Sequence, residues 1–164
     1  MTTRADFTDE EWARLGRAPL VAAMAISLAD PGGPIETVKE SSAALKTILE
    51  AANEGGFGAF VRSIASDVAA KAQRRENPLA GFTPDGKHRL EDVLDELRAV
   101  NALLTEKAAP EEADEFVEWV RIASQRAALA AKEGGFLGFG GKLVSEREQQ
   151  MLETLGEIFG TPRG

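Results

Sequence analysis

The sequence predicts an all-α protein: a compact bundle of about seven helices, arranged as two pseudo-repeated helical halves within one domain spanning 1–164. Three observations carry this expectation. Apolar residues recur at spacings of three and four, and nothing alternates with period two. Alanine, a strong helix former, is abundant throughout. Proline and glycine pairs cut the chain into helix-length pieces.

The first predicted helix starts at Thr8, where Thr8 and Glu11 have the spacing of a capping box, and ends near Gly16. The second runs from Pro19 to Ala29. It is apolar on every side (Leu20, Val21, Met24, Ile26, Leu28), which predicts a central, buried helix. Asp30-Pro31-Gly32-Gly33 breaks it. Pro34 suits the first turn of a third helix, which carries Ile35, Val38, Leu45, Ile48 and Leu49 and stops at Asn53. The fourth places Phe57, Phe60, Val61, Ile64 and Val68 on one stripe.

The stretch from Asn77 to Gly86 holds two Pro and two Gly and reads as the midpoint loop. The fifth helix carries the clearest stripe: Leu90, Val93, Leu94, Leu97, Val100 and Leu104. Glu91, Asp92, Asp95, Glu96 and Arg98 are expected on its solvated face. Pro110 opens the sixth, with acidic residues in its first turn and a core face of Phe116, Trp119, Val120 and Ala123. The seventh begins at Ser145, in a second capping box with Glu148. Met151, Leu152, Leu155, Ile158 and Phe159 are expected inward, and Gly160 ends it.

The two-half reading, 19–75 and 90–160, rests on an internal echo. The segment from Ala51 to Phe60 resembles that from Ala130 to Phe139, and Pro34 and Pro110 each open a long helix.

Composition excludes several chemistries. No Cys is present, so disulfides, thiolate metal sites and cysteine nucleophiles are ruled out; the single His88 rules out a multi-histidine centre. Nothing near His88 proposes an orienting partner or a pocket, and no Gly-x-Ser-x-Gly elbow occurs. Carboxylate pairs such as Asp92 with Glu96 are ordinary on solvated helix faces. The formal net charge is −8, and 83–164 alone holds 10 basic and 16 acidic residues. Such a surface repels nucleic acid and anionic lipid. The stretch from Pro19 to Ala29 is too short to cross a bilayer, and Met1 to Glu11 is polar and acidic, so a cytoplasmic protein without membrane insertion is expected.

The glycine-rich segment Gly134–Gly141, followed by Lys142, has neither phosphate-loop nor dinucleotide spacing. It is expected to be an ordered loop anchored by Phe136, Leu137 and Phe139 in the core.

Between the second and third helices the chain reads from Ala29-Asp30 through a glycine turn to Glu36 and Glu40. This resembles the Ala-Asp-Gly…Ser-x-x-Glu helix–loop–helix of the TerB-like (tellurite-resistance) family, with a degenerate copy at Ala131 to Gly135 and Ser145 to Glu148. Pro31 interrupts the Asp-Gly pair, and Glu36 and Glu40 bracket the acidic position. The resemblance implies an all-helical protein of two related halves whose loop carboxylates bind divalent metal. Asp30, Glu36 and Glu40 would then hold Ca²⁺ or Mg²⁺, cations that prefer several oxygen ligands. The function it implies is non-enzymatic and stress-related, exercised by binding a metal or an unidentified protein partner, as monomer or homodimer. The alternative expectation is a ligand-binding or enzymatic bundle with carboxylates in an inter-helix site.

Overall fold

The computed structural model describes residues 1–30, 34–53, 56–132 and 144–160; of 34–38, 131 and 132 it describes the backbone alone. A 3₁₀ turn at Arg4–Asp6 leads into six helices: α1 Asp9–Ala29, α2 Pro34–Asn53, α3 Ala59–Gln73, α4 Arg89–Lys107, α5 Pro110–Lys132 and α6 Glu146–Phe159. No strand occurs among the described residues.

The expected boundaries hold where a cap or a proline marks them. Thr8 accepts from the Glu11 amide while the Glu11 carboxylate accepts from the Thr8 amide, and Ser145 and Glu148 do the same at α6. Pro34 and Pro110 open α2 and α5.

Among the described residues the helices number six where seven were expected, because the first two predicted helices form the single α1 with Pro19 inside it. An interior proline removes one hydrogen bond and costs about 3 kcal/mol. Here Leu15, Leu20, Val21 and Ile26 are all buried around it, and each large side chain contributes roughly 1.5–3 kcal/mol on burial. Burial therefore outweighs the break. Gly16, expected to terminate a helix, is a contact point instead: a Cβ there would lie 2.8 Å from Val68 Cγ2. The missing side chain lets α1 and α3 approach closely.

α1 is central, as its all-round apolarity predicts, and touches each of the other five helices. α2 lies against α5 and α3, and α6 packs on α1, α5 and α4. A run of aromatic rings, Phe7, Trp12, Phe60, Phe116 and Trp119, crosses the core with successive contacts between 5.5 and 6.2 Å. The predicted core faces of α4 and α5 are buried at Val93, Leu97, Val100, Leu104, Phe116, Trp119, Val120 and Ala123. No helix among the described residues is long and apolar enough to cross a membrane. From residue 133 on, the second member of the internal echo, and with it Phe136, Leu137, Phe139 and the Gly134–Gly141 loop, lies outside the described residues.

The N-terminus is clasped to the start of α5. The Thr2 amide donates to Glu112 at 2.8 Å, the Ala109 amide donates to the Thr2 hydroxyl at 2.9 Å, and Lys107 donates to Glu11 at 2.7 Å. The Lys107 hydrogen bond holds the Glu11 carboxyl below its ordinary pKa, with the Thr8 amide adding to it. A carboxyl so depressed contributes stability above its unfolded pKa and loses it as pH falls through the folded value. Acidification through the carboxylate range is therefore expected to loosen this clasp. Lys107→Met should make the acid limb of a melting-temperature profile shallower, and an unchanged limb would reject the assignment.

Candidate functional site: a groove between α5 and α6

Asp30 is the half-buried C-cap of α1, its amide donating to the Ile26 carbonyl at 3.4 Å. Glu40 is buried on α2 at 2% exposure, and Glu36 sits one turn before it with its side chain outside the description. Among the described residues, no group of three or more His, Asp or Glu is arranged to hold a metal ion. His88 is exposed at the start of α4, with Nδ1 3.2 Å from Asp85 Oδ2, and does not line the groove described below.

A partly apolar groove lies elsewhere, between α5 and α6. On α5, Asp114, Val117, Glu118, Arg121, Ser124 and Gln125 recur at helical spacing and share one face. On α6, Gln149, Leu152, Glu153 and Gly156 do the same, followed by the C-cap Gly160. Together they line a groove of about 420 Å³, within the usual range of roughly 300–1,000 Å³ for ligand pockets. Val120, Leu155 and Phe159, all buried, contribute to its floor, and the half-buried Val117 and Leu152 add apolar surface.

The charged lining is mostly acidic: Asp114, Glu118 and Glu153 face one base, Arg121. Arg121 Nε donates to Glu118 Oε2 at 2.6 Å. That hydrogen bond holds the Glu118 carboxyl below its ordinary pKa and raises the Arg121 guanidinium above its own. The pair is half-exposed, so its worth to stability is small. Ser124 Oγ donates to the Val120 carbonyl at 2.8 Å, so this hydroxyl is committed to its own helix. The groove thus holds hydrogen-bonding and charged groups beside its apolar floor.

Gly156 keeps it open. Glycine inside a helix costs roughly 0.5–1 kcal/mol relative to alanine. Packing does not require it here, because a Cβ at Gly156 would meet no atom within 4 Å. Gly156→Ala is therefore expected to stabilise the protein by about 0.5–1 kcal/mol while narrowing the groove. Chemical denaturation checks the sign, and a destabilised variant would mean a packing role for this glycine.

A second polar cluster went unread in the sequence. Arg17, placed by α1 inside the core at 1% exposure, donates through Nε to Glu96 at 2.9 Å, through Nη2 to Glu10 at 3.0 Å and through Nη1 to the Ala80 carbonyl at 3.2 Å. Arg14 Nε also donates to Glu96, at 3.1 Å. Glu96, expected on the solvated face of α4, is corrected to a buried position at 9% exposure. It lies next to Leu97 and one turn from Val93 and Val100, at the edge of the core stripe, where Arg17 can neutralise it. Gly81, with φ +87°, passes 3.1 Å from Arg17 Nη1 at its would-be Cβ. Arg17's described donor bonds all go to protein acceptors, so the cluster is a clamp that ties the midpoint loop to α1 and α4. Its visible signal is a single arginine within an apolar helical run.

No protein-family model matches the chain, and no curated protein or solved structure matches it either.

Proposed function

We propose that this is a non-enzymatic helical binding protein, stress-related and of the TerB-like type, which engages its partner through the groove between α5 and α6. The observation that carries the reading is the groove itself: a concave, partly apolar surface lined also by charged and hydrogen-bonding groups. The segment from Ala29 to Glu40 supports the family reading through its resemblance, and α2 and α5, each opened by a proline, pack against one another.

Nile red, a small neutral apolar dye, tests the binding reading. Its fluorescence is expected to rise and shift to the blue with this protein, and Gly156→Leu, which fills the groove, should remove the effect. A dye that ignores the protein, or binds the variant equally, rejects the groove as the binding surface.

A divalent cation at Asp30, Glu36 and Glu40 is the second ligand the resemblance implies, and the burial of the Glu40 carboxylate favours it. A ligand that binds only the folded state raises its melting temperature by mass action. Melts with and without millimolar Ca²⁺ or Mg²⁺ decide the matter: a rise abolished by Asp30→Ala supports the site, and no rise rejects it.

A further inference from the structure

We infer that the occupant of the α5–α6 groove is a basic amphipathic helix of a partner protein, an inference that rests on the binding reading above and specifies its ligand. Shape comes first. The lining extends from Asp114 to Gln125 on α5 and from Gln149 to Gly160 on α6. At 1.5 Å per residue that is about 17 Å, or roughly three helical turns. A helix laid alongside can place apolar anchors at i, i+3 or i+4, and i+7 over Val117, Leu152 and the open space at Gly156.

Charge then selects among occupants. The groove edge carries Asp114, Glu118 and Glu153 against Arg121; Arg121 and Glu118 neutralise one another, and the edge as a whole stays acidic. Lysines or arginines flanking the apolar stripe of the incoming helix would complement this edge. A second copy of the chain is disfavoured, because a twofold interface would set the same acidic edge against itself on a protein of net charge −8. Nucleic acid and anionic lipid are disfavoured by the same sign of charge.

Two synthetic peptides of one leucine pattern, one flanked by lysines and the other by glutamates, test the inference on the full chain beside Nile red. The lysine peptide is expected to bind about tenfold more tightly than the glutamate peptide, and to weaken as salt is raised. Gly156→Leu should abolish its binding. Glu118→Gln with Glu153→Gln should weaken it while leaving Nile red binding in place. Circular dichroism melts of each variant establish that it is folded, and Leu152→Glu serves as the blocking variant if Gly156→Leu is not. Equal binding of both peptides overturns the inference, as does lysine-peptide binding that survives the blocking variant. Nile red binding without peptide binding overturns it too, yet leaves the binding function standing. Binding of no probe removes both. A concentration-dependent dimer dissolved by the blocking variant would assign the groove to a second copy and overturn the inference.

Discussion

Glu96→Ala is expected to lower stability by about 3–5 kcal/mol, because removing one partner of a buried ion pair leaves the other uncompensated. The stranded group is the Arg17 guanidinium, 1% exposed, whose remaining acceptors are the Ala80 carbonyl and Glu10, itself 61% exposed. For a chain of this length each kcal/mol shifts the melting temperature by about 2–4 °C, so a fall of roughly 6–20 °C is expected. Arg17→Ala should be costly too, but less so, since Arg14 stays within 3.1 Å of Glu96. The double replacement Arg17→Met with Glu96→Leu should recover much of the loss, because apolar side chains of similar volume carry no desolvation penalty in that position. Additive losses in the double variant would show that the pair is not coupled and that the clamp is misread.

This clamp also marks where sequence reasoning stops. Local signals were legible because their physics is local. A hydroxyl three residues before a glutamate makes a capping box at Thr8 and again at Ser145, and a proline suits the first turn at Pro34 and Pro110. The stripe from Val93 to Leu104 is read from one helix alone. Pro19 misled for the opposite reason: its local effect is to break a helix, and only the tertiary burial of Leu15, Leu20 and Val21 overrides it. Glu96 misled because a charge at the edge of an apolar stripe is solvated or buried according to what the neighbouring helix presents. The neighbour here is Arg17, separated from it by 79 residues.

The groove was partly legible. Leu152 was expected inward from α6 and is half-buried on its wall, yet no periodicity in one helix states which other helix will stand beside it. Gly156 was the missed signal, a glycine with no turn to make inside the helix Glu146–Phe159. The proposed metal site at Asp30, Glu36 and Glu40 rests on a resemblance rather than on spacing, so only the melt with added cation can judge it.

Phe60→Ala is the second change expected to have a large effect. The sequence puts Phe57 and Phe60 together at the start of one helix, but their surroundings differ. Phe60 is 2% exposed and meets three rings: Phe7 at 5.9 Å, Trp12 at 6.2 Å and Phe116 at 6.2 Å. It joins the N-terminal segment and α1 to α5. Phe57 precedes α3, which begins at Ala59, and is only half-buried. Truncating a buried phenylalanine costs about 3–5 kcal/mol through lost transfer energy and the cavity left behind, and aromatic contacts add about 0.5–1.5 kcal/mol per pair. Phe60→Ala should therefore fall at or above the upper end of that range. Phe57→Ala should lose less than half as much, since part of its ring is already in water. Phe60→Leu should lie between wild type and Phe60→Ala, because the smaller apolar side chain fills part of the space. Urea denaturation of the three variants gives the comparison. Equal losses at Phe57 and Phe60 would mean that α3 enters the core one turn earlier than described, and that the aromatic run is anchored at the wrong ring.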